Sequence, residues 1–296
     1  MGLLEQYGSD AVRYWASSAR LGLDAAFEET QIKIGRRLAI KVLNASKFAL
    51  SMGIPFDADE AALAAAPPPS LDASAVTEPI DRAVLAALAD VVDAATAAFE
   101  EFGHARALEV TESFFWTFCD DYIELVKDRA NDFDGAHDAA AVRSARATLA
   151  IAVDTFVRLL APFLPFATEE VWSWYRTGSV HRAAWPQSEG LREAAAGADA
   201  ELVARAGVAL AALRKVKSEA KTSQKTPILS VTLAVAADRP EYAEAIEAVR
   251  ADLTEAAKVT GPFTVEQAAP AADSAEGASP VTVTAAELGQ APAKKK

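Results

Sequence analysis

The residues best placed to do chemistry in this sequence are basic ones that recur at helical spacing between residues 31 and 50. Stepped at about 100° per residue, they fall within an arc of about 140°, and the opposite side is apolar. No acid interrupts the run from Gln31 to Lys47. Such a face suits the phosphates of a nucleic acid; the alternative is a solvated helix face whose cations pair with acids on adjacent helices. The members of this basic stripe are Lys33, Arg36, Arg37, Lys41, Asn44 and Lys47.

A second basic cluster joins a predicted helix to a predicted strand near residue 220. A single acid, Glu219, accompanies its cations, which are Arg214, Lys215, Lys217, Lys221 and Lys225. Two interpretations stay open, namely further phosphate contacts or an exposed helix end whose cations are stabilised by the helix dipole. As candidate RNA-binding residues in this cluster we take Arg214, Lys215, Lys217 and Lys221.

Patterns typical of catalysis or metal binding are missing from the sequence. It contains no glycine-rich phosphate loop and no nucleophile elbow. The single cysteine, Cys119, and three scattered histidines do not make a common zinc site. Asp120, Asp121 and Glu124 have no histidine beside them, and the adjacent Cys119 lies inside an aromatic run typical of a buried inert thiol. This favours a solvated face over acid–base chemistry. We therefore expect a binding module with no catalytic residue, no metal site and no cofactor of its own.

The overall composition indicates a globular protein but counts against a polyanionic partner. Of the 296 residues, 51% are hydrophobic and 24% charged, and the net charge is −13. An acidic protein repels nucleic acid unless its cations are concentrated locally, which makes the stripe decisive. No apolar run is long enough to span a bilayer, and the start does not resemble a signal peptide. We expect a cytoplasmic chain with no membrane partner.

The elements that must position these residues are predicted to be mostly helical. Four long amphipathic helices, at about 28–50, 79–102, 105–129 and 137–160, predict an antiparallel helix bundle. The aromatic run from Phe114 to Tyr122 fits base stacking or the bundle core, and helical spacing favours the core. Further along, a helix at 201–220, a strand at 228–236, a helix at 239–258 and two short strands predict a small α+β domain.

The fold class predicted is therefore mainly α, with the antiparallel bundle followed by the small α+β domain. A Pro/Ala-rich loop is expected over 57–73. The predicted organisation is an N-terminal segment 1–27, a bundle 28–186, a linker 187–200, an α+β domain 201–285 and a disordered basic tail 286–296.

Four motifs of the sequence resemble class I aminoacyl-tRNA synthetases of the valine, isoleucine and leucine group. GSDAVRYWASSARLGLDAAF resembles the segment after their KMSKS loop, and KVLNASKF resembles the start of their anticodon-binding helical domain. FWTFCDDYIELVKDR resembles their aromatic helix, and LAPFLPFATEEVWSW with GSVHRAAWP resembles the end of that domain. The motifs occur in the family's order over about 185 residues.

The resemblance implies a tRNA partner. The ARLGLDAAF and IGRRLAIKVLNASKF segments imply that this tRNA is of the valine type. Residues 1–27 would contact the tRNA stem, and the bundle would bind the anticodon stem-loop. The HIGH and KMSKS motifs, which hold ATP and its Mg²⁺ in the full-length enzymes, are not in this sequence, so a catalytic domain would be separate or missing. Two alternatives stay open: a structural or protein-interaction bundle derived from a synthetase, and the equivalent region of an isoleucine-type enzyme.

Overall fold

A computed structural model of the chain describes residues 2–24, 27–53, 70–268 and 279–291. The chain forms two compact units, and each consists of two separate stretches of sequence. The first unit combines Met1–Cys119 with Ala130–Ala198, and the second combines Asp120–Arg129 with Asp199–Lys296.

Helices make up the first unit almost entirely, and the mainly α fold predicted for this part is confirmed. Its helices are α1 (Gly2–Tyr7), α2 (Ser9–Ser18), α3 (Glu29–Leu50), α4 (Pro79–Glu100), α5 (His104–Thr117), α7 (Ala139–Leu160), α8 (Pro165–Ser173) and α9 (Glu189–Ala194). A π-helical turn at Phe118–Tyr122 follows α5 and leads into α6 (Ile123–Asn131), which belongs to the second unit as far as Arg129.

Helix α7 is the centre of this unit. Nearly every residue from Val142 to Leu160 is buried, so the helix has no solvated side, as expected for an element surrounded by others. It contacts α3, α4, α5 and α8. Its start is fixed by Asp138, whose carboxylate accepts hydrogen bonds from the backbone N–H groups of Ala140 and Ala141.

Close packing of α2 against α3 depends on Gly35. A Cβ atom added at this glycine would lie 2.5 Å from Cβ of Tyr14 and 2.7 Å from its Cγ. The absence of a side chain lets the Tyr14 ring lie directly on the α3 backbone. Tyr14 in turn donates a hydrogen bond of 2.7 Å to Glu112 on α5, which ties the three helices together.

The structure corrects two of the predicted helices. The helix predicted over 105–129 contains the π-helical turn, in which one extra residue is accommodated within the turn. The helix predicted over 239–258 is two helices that meet at Val249, whose φ of −121° lies outside the helical range. The side chain of Val249 is buried, so the break turns an apolar residue inward.

The second unit contains the predicted small α+β fold. Its sheet has the order β2-β1-β3, with β1 parallel to β2 and antiparallel to β3. In register, Val231 faces Phe263 on β2, and Val235 faces Val281 on β3. The elements are α10 (Leu202–Glu219), β1 (Ile228–Ala236), α11 (Glu241–Ala248), α12 (Arg250–Ala257), β2 (Phe263–Ala268) and β3 (Val281–Leu288).

An ion pair inside the second unit joins residues that are far apart in sequence. Nε and Nη2 of Arg129 donate to the two carboxylate oxygens of Asp252 at 3.0 and 3.1 Å. Both side chains are nearly buried, with 7% and 12% of their surface exposed. Lys258 also lies 3.4 Å from Asp128. The short stretch Asp120–Arg129 is thus held by partners more than a hundred residues further along the chain.

The segment 187–200, predicted to be a linker, is packed against α4 over much of its length. It contains α9, with Leu191 and the following Ala195 buried. Arg192 forms ion pairs with Asp90 and Asp93. Its alanine, glycine and polar residues are typical of linkers, but the buried Leu191 and Ala195 and the ion pairs of Arg192 hold it against α4.

Two other predicted segments lie partly outside the described residues. The loop predicted over 57–73 falls mostly in the undescribed stretch 54–69. Of the tail predicted over 286–296, residues 286–288 complete β3, and 292–296 are undescribed. Among the helices of the described ranges, none combines the length and apolar character needed to cross a bilayer.

Candidate nucleic-acid interface

Helix α3 has the two faces that its sequence predicts. Ile32, Leu38 and Val42 are at most 1% exposed and form its core side. The basic stripe lies on the other side, where Lys41 is half-buried and the remaining members are exposed: Lys33, Arg36, Arg37, Asn44 and Lys47. The buried side fixes the rotation of the helix, so the stripe is directed to solvent by packing.

One cation of the stripe is neutralised by a neighbouring acid. Nζ of Lys33 lies 3.0 Å from the carboxylate of Glu29, one turn earlier. Glu29 also accepts a hydrogen bond from the Tyr7 hydroxyl. This bond, and to a smaller extent the bond from Lys33, lowers the pKa of the Glu29 carboxyl group. The same contact raises the pKa of Lys33. The first position of the stripe is therefore paired, although its partner lies on α3 itself and not on an adjacent helix.

Three other cations have no carboxylate partner in the described part of the chain. Arg36, Arg37 and Lys47 are exposed, and no ion pair within 4.0 Å involves them among the described residues. Arg36 donates instead to the backbone oxygen of Gln6 at 2.8 Å. A neutral carbonyl leaves the positive charge of the guanidinium uncompensated, so this stretch of α3 keeps a net positive charge.

An indole ring supports the middle of the stripe. Arg37 and Lys41 lie over the ring of Trp116, 5.8 and 5.5 Å from its centroid. The Trp116 Nε1–H donates to Glu112 at 3.2 Å, and the other oxygen of Glu112 accepts from Tyr14. Burial and this carboxylate raise the pKa of Tyr14, so the hydroxyl stays protonated and continues to donate. The ring is thereby held in place beneath two cations.

The aromatic run is largely core, as helical spacing predicts, and Phe114 and Trp116 are its aromatic members that are not fully buried. Phe115, Phe118 and Tyr122 are at most 2% exposed, whereas Trp116 is half-buried. Sequence reasoning missed its part in the interface. Nothing in the spacing of α5 indicates which of its aromatic side chains meets a residue of α3.

The second basic cluster does not form a continuous face. Arg214 donates to the carboxylate of Glu124 at 2.6 Å and to the backbone oxygen of Asp120. Lys215 is exposed and lies 3.8 Å from Glu219. Lys221 is exposed at a turn with φ of +51°. Lys225 is also exposed.

The selection of Lys217 as a phosphate contact is corrected by the structure. Its side chain is 1% exposed, and its amine donates to the backbone oxygens of Gln224 at 2.9 Å and Ala257 at 2.6 Å. The amine therefore satisfies the carbonyl of Ala257 at the end of α12 and the carbonyl of Gln224 in the turn that follows α10. Burial lowers the pKa of Lys217 to about 8, helped by the charges of Lys258 and Arg214.

The acids after the aromatic run show no metal-binding or catalytic arrangement. Glu124 pairs with both Lys127 and Arg214. Burial raises the pKa of Asp121, which lies against the backbone of Gly207. Within the ranges that the structure describes, no three histidine, cysteine or acidic residues are grouped as metal ligands. Cys119 is buried.

Comparison with known proteins identifies the class. Residues 81–233 match the family model described as the anticodon-binding domain of tRNA ligases. Since this match covers more than half of the chain, the chain belongs to that family, as the motifs led us to expect. Helix α3 precedes the matched span, and the relatives described next cover it.

Among individual proteins, the chain is similar to the C-terminal region of valine–tRNA ligases. It is 52% identical to that of Bifidobacterium longum over 99% of this chain and 32% of the relative. The ligase of Thermobifida fusca is 52% identical over 88% of this chain and 27% of its own length. That of Cutibacterium acnes is 42% identical over 99% and 30%. The chain therefore spans about a third of the length of these relatives.

Among solved structures, the LeuRS–tRNA–LeuAMS ternary complex from Agrobacterium radiobacter K84 aligns with 90% of this chain and 29% of its own. The TM-score is 0.48 and the identity 15%, a likeness too low to carry an argument about function.

Proposed function

We propose that this chain is the tRNA-binding part of a valine–tRNA ligase and that α3 contacts phosphates of the anticodon stem. The observation that carries the proposal is the exposure of Arg36, Arg37 and Lys47 on one face, without a carboxylate partner in the described ranges. In a chain of net charge −13, such a face attracts a polyanion while the remaining surface repels it. The approach of tRNA is thereby directed to α3.

The length of the stripe suits a short stretch of duplex. From Lys33 to Lys47 the helix rises about 21 Å at 1.5 Å per residue. Phosphates advance about 3.4 Å per nucleotide along a B-form DNA duplex, and the rise of an A-form RNA duplex is smaller, so the stripe spans at least about six base pairs of RNA. Asn44 adds an amide among the cations, suited to a sugar hydroxyl or an unpaired base.

Trp116 contributes by restricting two of the cations. Arginine and lysine side chains lose rotamer freedom when they bind, and this loss weakens binding. Because Arg37 and Lys41 already lie over a fixed indole ring, part of that entropy is lost before tRNA arrives. The stripe is in this sense preorganised for phosphate.

Salt dependence of tRNA binding tests the proposal. Four contacts, from Arg36, Arg37, Lys41 and Lys47, predict that log K falls with log salt with a slope of about −3.6. The double variant R36Q/R37Q should reduce the slope to about −1.8. Its matched control is R106Q, an exposed arginine already paired with Glu109 at 3.1 Å, which should leave the slope unchanged.

If the affinity of the unaltered chain for tRNA does not change with salt concentration, the proposal is contradicted. Equal affinity of R36Q/R37Q and the unaltered chain for tRNA also contradicts it. Thermal unfolding of each variant checks that the bundle is intact. Competition between a valine-accepting tRNA and total tRNA tests the valine assignment against an isoleucine-type enzyme. Preference for an isoleucine-accepting tRNA would reverse that assignment.

We assign aminoacylation itself to the remaining two thirds of such a ligase, where ATP and Mg²⁺ would act. This chain should give no amino-acid-dependent exchange between ATP and pyrophosphate, and measurable exchange would contradict that assignment. We also propose that the chain acts in the cytoplasm, as expected of a protein that binds tRNA.

A further inference from the structure

A groove of about 400 Å³ lies in the first unit beside the basic stripe. The turn between α1 and α2, the middle of α3 and the start of α8 form its walls. One member of the stripe, Arg36, lines it together with the apolar side chains of Ile40, Leu43 and Phe166. Sites for small molecules have volumes of about 300–1,000 Å³, so the groove is large enough for a nucleotide. We call it the α3–α8 groove.

Ile40 is a residue on the exposed side of α3 that phosphate contacts do not explain. It lies one turn after Arg36 and one turn before Asn44, both exposed members of the basic stripe. The packing of the unit leaves 45% of Ile40 exposed. A branched aliphatic side chain carries no charge and forms no hydrogen bond, so it adds nothing to a phosphate contact. A ligand that covers the stripe must therefore place an apolar group here or leave Ile40 in water.

An aromatic ring projects into solvent at the α8 wall of the groove. Phe166 is 65% exposed. Its backbone is nevertheless fixed, because the N–H groups of Phe166 and Ala167 donate to the carboxylate of Asp10 at 3.1 and 2.8 Å. This nearly buried carboxylate satisfies the start of α8. Two large apolar side chains exposed in one groove, Ile40 and Phe166, indicate a surface that binds a partner.

A carboxylate lies at the same wall, one turn after Phe166. Glu170 lines the groove and is exposed. Its Oε1 accepts a hydrogen bond of 3.0 Å from the indole N–H of Trp174, one turn further along the chain, which restricts its rotation. A glutamate carboxylate accepts hydrogen bonds from the amino groups of nucleobases. The groove thus combines a ring for stacking, an aliphatic wall, a guanidinium for a phosphate and an acceptor for a base edge.

We propose that the α3–α8 groove binds one unpaired nucleobase of the tRNA. The base stacks on Phe166, packs against Ile40 and donates its amino group to Glu170, and the adjoining phosphate lies at Arg36. This proposal rests on the proposed function, because the RNA that contacts the basic stripe is the one that enters the groove.

RNA fits this surface better than a protein does. Arg36 donates to a neutral carbonyl, so a protein covering the groove would have to supply a carboxylate for it or bury the charge at a cost. RNA carries the phosphate and the base on one chain. Glu170 repels phosphate, which directs the RNA backbone to the α3 side of the groove and the base edge to the α8 side.

The carboxylate of Glu170 predicts which bases the groove accepts. Cytosine carries an amino group at the ring position where uracil carries a carbonyl oxygen. Glu170 accepts a hydrogen bond from the amino group and repels the carbonyl oxygen. Because hydrogen bonds to charged groups are among the stronger ones, cytosine should bind about tenfold more tightly than uracil.

Two short single-stranded RNAs, one of cytidines and one of uridines, provide the test with the full chain. Fluorescence anisotropy at constant salt should show the cytidine RNA binding about tenfold more tightly. E170Q should abolish this preference, because an amide offers uracil a donor and cytosine an acceptor. F166A should weaken binding of the cytidine RNA about 5- to 150-fold through the loss of one stacked base. An unchanged preference in E170Q, or unchanged binding in F166A, overturns the proposal.

F133A is the matched control, because Phe133 is also an exposed phenylalanine but does not line the groove. It should bind both RNAs as the unaltered chain does, and thermal unfolding checks that each variant is folded. F166L separates stacking from apolar contact, since leucine keeps an apolar surface but cannot stack. It should bind RNA nearly as weakly as F166A. Full binding by F166L would mean that the groove needs only an apolar contact, as a protein partner would, and overturns the proposal.

The indole ¹⁵N–¹H resonance of Trp174 reports on the groove directly, because this N–H donates to Glu170. The chain has five tryptophans, and loss of the signal in W174F assigns it. The cytidine RNA should move this resonance saturably, and an abasic RNA of the same length should not. An equal shift with the abasic RNA would mean that phosphate alone is bound, and it overturns the proposal.

Salt dependence keeps failure of this site separate from failure of the proposed α3 interface. F166A removes no phosphate contact, so it should lower the affinity for tRNA at every salt concentration without changing the slope, whereas R36Q/R37Q lowers the slope. A flat salt response with a retained preference for cytidine RNA would refute the phosphate contacts of α3 alone. A normal slope with no effect of F166A or E170Q would refute the α3–α8 groove alone.

Discussion

Replacing Gly35 with alanine should destabilise the first unit, although alanine is the better helix former. The added Cβ would meet three atoms of Tyr14, at 2.5, 2.7 and 2.8 Å. Tyr14 cannot swing aside without cost, because its ring is buried and its hydroxyl is bonded to Glu112. Overpacking costs about 1–3 kcal/mol, and the helix propensity of alanine returns about 1 kcal/mol. With three close contacts the upper end applies, so we expect a net loss of about 2 kcal/mol.

The chain supplies a matched control for this substitution. Gly190 also lies in a helix, and a Cβ there would meet nothing within 4 Å. G190A should therefore be stabilising by about 0.4–1 kcal/mol. Thermal unfolding distinguishes the two, since a loss of 2 kcal/mol lowers Tm by about 4–8 °C in a unit of this size. If G35A unfolds at or above the temperature of G190A, the packing of Tyr14 on α3 described above is incorrect.

Two further predictions concern the second unit. R129M should destabilise it by about 3–5 kcal/mol in denaturant unfolding, because the nearly buried carboxylate of Asp252 would lose the guanidinium that donates to both of its oxygens. The double variant R129M/D252L should recover most of this loss, and no recovery would refute the ion pair as the cause. Burial lowers the pKa of Lys217 to about 8, below the value of about 10.4 in an unfolded chain. Between these values the unfolded state binds more protons, so stability should rise with pH relative to K217M. Parallel stability curves for the two proteins from pH 8 to 10 would contradict this.

Periodic patterns in the sequence predicted the elements that have one dominant face. The apolar side of α3 and the alternation in Ile228–Ala236 each indicate a structure by themselves, and the strand has the predicted bounds. Neither prediction requires knowledge of which elements pack against the helix or the strand. Burial of a continuous apolar stripe is favoured whatever packs against it.

Predictions that depended on a particular neighbour were less successful. Lys217 belongs to a basic cluster by composition, yet it is buried, and its amine donates to the carbonyl of Ala257, 40 residues further along the chain, as well as to that of Gln224. The π-helical turn and the half-exposed Trp116 likewise depend on tertiary contacts. Local spacing carries no information about residues 40 positions away.

Separation in sequence of the two stretches of the second unit affects how the protein is made. Arg129 precedes its partner Asp252 by 123 residues. At about 5–20 residues per second, the ribosome adds Asp252 about 6–25 s after Arg129. During that interval Arg129 has been synthesised but Asp252, which accepts its two hydrogen bonds in the folded unit, has not. The buried ion pair of the second unit can therefore form only many seconds after its first residue is made.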